Sequence, residues 1–160
     1  MMMVWTEERF ADLVSFLEGK GSVFRMSPPR QRIAANAEQD ILDYIEESEE
    51  LTFSQTLLRL IDGRGLTDVE VYKAAKVDRR VFSKLRSNDD YQPSRSTAIR
   101  LCLALSLPPL EVMMLLEKAG LCLSPSSKED LVVYYCLEHG IFDVNDVNEA
   151  LSRLGLKTLN

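Results

Sequence analysis

Residues 67 to 87 read TDVEVYKAAKVDRRVFSKLRS, and two helix starts lie inside this one stretch. Thr67 followed three positions later by Glu70 is a capping box: the threonine oxygen accepts from the third helical N–H while the acid reaches back to the cap's own N–H. Asp78 stands before Arg79 as a second N-cap. The first helix must therefore end near Ala75, and only residues 76 to 78 remain to connect it to the next. Val71, Ala75, Val77, Phe82 and Leu85 fall inward at helical spacing. Two short helices joined so tightly form a helix-turn-helix unit. The second helix carries Arg79, Arg80, Lys84 and Arg86 with no acid among them.

Working outward, the punctuation stays helical. TFSQ at 52–55 is another capping box, with Phe53, Leu57, Leu60 and Ile61 on one face until DGRG at 62–65 stops the helix. After the basic helix, Ser94 or Ser96 caps a helix whose buried stripe is Ala98, Leu101, Cys102 and Leu105. Residues 108–120, PPLEVMMLLEKAG, place proline at a helix start and Gly120 at its end, as helices prefer. Two further capped helices follow in PSSKEDLVVYYCLEHG (125–140) and FDVNDVNEALSRLG (142–155). LVVYY is β-prone, yet no strand is well supported. Upstream, Thr6 caps a helix of about three turns with Phe10, Leu13, Val14 and Leu17 on one face, and GKGSVFRMSPP (19–29) interrupts it. A second helix is expected from about Arg30 to Ser48, with Ile33, Ala37, Ile41, Tyr44 and Ile45 as its apolar stripe.

The bulk numbers bound the class. In 160 residues, 46% hydrophobic and 28% charged, there is room for one core with appendages. We divide the chain into an acidic helical extension (1–50), a helix-turn-helix domain (51–120) and a C-terminal helical extension packed on the same core (121–160). No apolar run approaches the roughly 18 residues needed to span a bilayer. MMMVWTEERF lacks a basic leader and a cleavage site, so a cytoplasmic protein with no membrane association is expected.

Net charge is −6 but unevenly spread: residues 1–50 hold 11 acids and 5 bases, residues 66–100 hold 5 acids and 8 bases, and residues 38–50 hold seven acids and no base. A local basic face on an acidic chain is the usual footprint of a small reader module.

The resemblance that these elements carry is to the Xre/Cro-like repressor family, through LTDVEVYKAAKVDRRVFSKLRSNDDYQPSRSTAIRLCLALSLPPLEV (66–112). Thr67 stands where that family has a capping threonine, Val77 where it has a turn valine, and Phe82–Ser83 where it has an apolar residue and serine in mid-recognition helix. Pro93–Ser94 matches the pair before its fourth helix. The longer block from about 51 to 159 also looks like a region of bacterial helix-turn-helix proteins. The resemblance implies an all-α fold with a five-helix DNA-binding domain. Three positions depart from it. Asp68 replaces a usual glutamine and would repel phosphate. Tyr72 replaces alanine at the helix–helix contact. Lys76 replaces a turn glycine, so that a side-chain-bearing residue must go left-handed at about 1 kcal/mol.

If the basic helix enters a major groove, Arg79 and Arg80 face base edges, Ser83 serves a base or a phosphate, and Lys84, Arg86 and Arg95 hold the backbone. Double-stranded DNA is the expected partner, in transcriptional control. A homodimer is expected too, because one module buries too little to specify a site. The alternative is a protein-interaction adaptor whose basic helix docks an acidic partner; Arg79 or Arg80 pairing with Asp68 or Glu70 would leave only a solvated helix.

No enzyme is expected. The sequence has one histidine, no phosphate-cradling glycine loop, no nucleophile beside a base and no metal-ligand spacing, so neither cofactor nor metal is assigned. Three smaller expectations complete the reading. Cys102, Cys122 and Cys136 are buried reduced thiols, Trp5 and Phe10 dock the first helix, and MMLL (113–116) fills the core. His139 complements a helix C-terminus.

Overall fold

The computed structural model describes residues 4–19, 42–43 and 50–160. Among these the fold is all-α. It comprises α1 (Glu7–Gly19), α2 (Phe53–Gly63), α3 (Asp68–Ala75), α4 (Arg79–Ser87), α5 (Arg95–Ala104), α6 (Pro109–Lys118), α7 (Lys128–Glu138) and α8 (Val144–Arg153). The acidic helix expected over 30–48 lies outside the described residues, except for Leu42 and Asp43, which are helical and exposed. No helix of the described residues is long and apolar enough to cross a membrane.

Local chemistry sets the boundaries. Thr52 Oγ1 accepts from the Gln55 N–H while Gln55 Oε1 accepts from the Thr52 N–H, closing a capping box at the start of α2. Thr67 and Glu70 repeat it at α3, with the Thr67 N–H donating to Glu70 at 2.8 Å. This holds the Glu70 carboxyl below its ordinary range. α3 ends where Lys76 turns left-handed, at φ 55° and ψ 40°, and the Val77 N–H then reaches back to Tyr72 O. The α5 residue Arg100 donates to the Lys76 carbonyl at 2.6 Å, so the strained turn is tied to the next layer of helices. Asp78 accepts from the Arg80 N–H and opens α4.

One apolar cluster runs from Trp5 to Leu159. α3 packs on α5, α2 on α6, α5 on α6 and α8, and α7 on α6 and α8. Phe82 and Leu85 of α4, Val71 and Ala75 of α3, and Leu57 and Leu101 from either side are all buried. Tyr72, at the position where alanine would let helices approach closely, instead lies half-buried with its ring 6.0 Å from that of Phe82. LVVYY lies wholly within α7. Its residues are buried on nearly every side except at Tyr134, so the β-prone run serves a helix packed on several neighbours.

α1 packs on α7. Trp5 is buried and its indole N–H donates to Asp146 O at 2.7 Å; Tyr135 OH donates to Asp12 at 2.6 Å; the Arg153 guanidinium lies 3.9 Å over the Phe10 ring. His139 caps the C-terminus of α7, stacked on Tyr135 with centroids 3.9 Å apart.

Two expectations fail. Cys122 is exposed, because it follows α6 in a non-helical connection at the surface; Cys102 and Cys136 are buried, and burial pushes both thiols up to about 12. In MMLL only Leu115 and Leu116 are buried. Met114 is 56% exposed, since α6 is covered on one side only.

Candidate nucleic-acid interface

At about 100° per residue, α4 presents Arg86, Arg79, Ser83, Ser87, Arg80 and Lys84 in that order around its outward arc, while Val81, Leu85 and Phe82 complete the inward one. The burial pattern agrees: Phe82 and Leu85 are buried, Val81 is half-buried and all the others are exposed. Asp78, Arg79, Arg80, Ser83 and Lys84 together line a surface concavity. The side chains of Arg79, Arg80, Ser83 and Lys84 make no hydrogen bond or ion pair among the described residues.

Arg86, at the edge of the same arc, differs. Its Nε donates to Asp68 Oδ2 at 3.0 Å and its Nη2 to Asp68 Oδ1 at 2.6 Å and Asp62 Oδ1 at 3.1 Å. The hydrogen bonds to Asp68 and then Asp62 raise the guanidinium above its already high range. So the carboxylate of Asp68 is neutralised by Arg86, not by Arg79 or Arg80, and Glu70 is committed to its capping box.

Arg95 stands apart from the other five residues. At the start of α5 it pairs with Asp130, a carboxylate only 4% exposed, and donates to Cys122 O at 2.5 Å. A buried carboxylate left without its counter-ion is costly, so Arg95 fastens α5 to the start of α7. Of the six residues read as DNA-contacting, the fold gathers Arg79, Arg80, Ser83 and Lys84 with free side chains, gathers Arg86 already paired, and sets Arg95 elsewhere.

Both ends of α4 are held. Arg100 braces the turn before it, and after it Thr52 Oγ1 donates to Asp89 O at 2.6 Å while Gln55 Nε2 donates to Asp89 Oδ2 at 3.2 Å. Lys73 and Lys76, not singled out from the sequence, are exposed before the helix with ammonium groups that meet no partner among the described residues. The charge count of residues 66–100 contained them; their place beside the turn was the available signal.

No protein-family model, no curated protein and no solved structure matches the chain.

Proposed function

We propose that the chain binds double-stranded DNA through the outward arc of α4, as an Xre/Cro-like helix-turn-helix regulator of transcription. The observation that carries this reading is the contrast in use of cations. Arg79, Arg80 and Lys84 sit on one braced helix with no internal partner, whereas Arg86, Arg95 and Lys118 are each paired with a carboxylate. Free arginines on the first turn of a helix suit bidentate contact to guanine edges, and Lys84 one turn on suits a phosphate. Two copies on half-sites about one helical turn apart would supply the affinity that one module lacks.

Selection from a random duplex pool, followed by anisotropy titration, tests the reading. Enrichment of a sequence, and its loss with Arg79→Ala and Arg80→Ala, is the expected result. If nothing is enriched, duplex DNA does not bind at low salt and an acidic polypeptide does, α4 is a protein-docking helix and the DNA reading fails.

A further inference from the structure

Arg79 and Arg86 are seven residues apart, about 20° short of two full helical turns, so they lie nearly in line on α4 and about 10 Å apart along its axis. The carboxylates that hold Arg86 therefore border the face that carries Arg79. That separation is about one Debye length at 0.1 M ionic strength, so a bare carboxylate there would be felt by an approaching polyanion. Asp68 begins α3 and Asp62 lies in the last turn of α2, and each is at least two-fifths exposed at its side chain, so neither is hidden from a docked duplex.

We infer that Arg86 is a positioning residue that acts on the interface through Asp68 and Asp62: it offsets one of the two carboxylate charges bordering the α4 face and does not itself hold a phosphate. The inference rests on the proposed DNA binding. Its geometric basis is the two-point grip on Asp68, which uses Nε and Nη2 together, with Asp62 taking a second proton of the same nitrogen. A phosphate oxygen would have to displace a carboxylate to take the Nε–Nη2 edge of this guanidinium, which leaves it only Nη1, while Arg79, Arg80 and Lys84 offer all their donors without displacement. The cluster as it stands carries one net negative charge; without Arg86 it would carry two.

A suppressor experiment with duplex DNA separates the possibilities. Arg86→Ala should weaken binding by about three- to tenfold through the uncovered carboxylates. Adding Asp62→Asn and Asp68→Asn to it should restore affinity to within about twofold of the parent. The double variant Asp62→Asn/Asp68→Asn, which keeps Arg86, should bind more tightly than the parent and steepen the salt dependence by about one unit as the arginine is released. Circular dichroism and a melting curve confirm that each variant is folded, and the double variant carries the test if Arg86→Ala is not. If the loss persists in the triple variant, or the double variant binds no more tightly, Arg86 contacts the DNA directly or serves packing alone, and the inference is overturned. Failure of the parent protein to bind duplex DNA at low salt is a separate result and removes the proposed function itself.

Discussion

The junction of α1 with α7 and α8 and the outward arc of α4 are built from similar side chains, aromatic or charged groups of the kinds that form interfaces. In the folded chain they are opposites. At the junction the Trp5 indole donates to the Asp146 carbonyl, the Tyr135 phenol to the Asp12 carboxylate, and the Arg153 guanidinium lies over the Phe10 ring. On α4, Arg79, Arg80, Ser83 and Lys84 satisfy nothing within the described residues. Residue type alone does not separate side chains that the chain itself engages from side chains that it leaves facing outward; the internal contacts do.

The sharpest way to break this comparison is to remove the packing that seats α4. Phe82 is 2% exposed, and Phe82→Ala should cost ~3 to 5 kcal/mol by opening a cavity beneath α4. A denaturant titration measures it, and a loss below about 1 kcal/mol would mean that α4 is not seated as described. Next comes Trp5→Ala, expected to cost about 3 kcal/mol from lost aromatic burial and the lost bond to Asp146. Its affinity for duplex DNA should stay within about twofold of the parent. A variant that kept its stability but lost DNA binding would make the junction part of the interface and erase the distinction.

The α4 substitutions should show the reverse pattern. Arg79→Ala or Arg80→Ala should change stability by less than about 0.5 kcal/mol, since neither side chain has a partner to lose. On a selected site each should cost ~1 to 3 kcal/mol in binding, and much less on random duplex. Lys84→Ala should weaken both kinds of DNA alike and lower the salt slope by about one unit. Equal losses on both DNAs for all three would reduce α4 to an unspecific cationic rim.

What could be read without the structure divides along sequence distance. The capping boxes at Thr52 and Thr67, the Asp78 cap and the left-handed Lys76 were legible because each is decided within a few residues. The inward faces of α3 and α4 were legible from helical period. Arg86 and Arg95 were read as holding a DNA backbone, and their internal pairing was not legible because the partners lie far along the chain, at Asp62, Asp68 and Asp130, and no local pattern announces a pairing of that range. Cys122 and Met114 misled for a related reason: an apolar setting in sequence does not say which side of a helix, or which segment after it, receives a covering neighbour.

The smallest expected effect lies at the turn between the paired helices. Lys76 holds φ 55°, a conformation that costs a side-chain-bearing residue ~1 to 2 kcal/mol, whereas glycine adopts it freely but loses more chain entropy on folding. Lys76→Gly should therefore stabilise the fold by only about 0.5 kcal/mol. The brace from Arg100 survives, because it is made to the backbone carbonyl. The same substitution removes an exposed ammonium group at the start of the α4 face, so duplex binding should weaken and the salt slope fall by up to about one unit. Lys76→Asn separates the two causes, because asparagine tolerates the left-handed turn without the entropy of glycine and likewise lacks the charge. If both variants are stabilised and both lose the same part of the salt slope, the turn lysine belongs with Arg79, Arg80 and Lys84. If binding is unchanged in both, the interface begins at Arg79 and Lys76 is a strained residue with no part in binding.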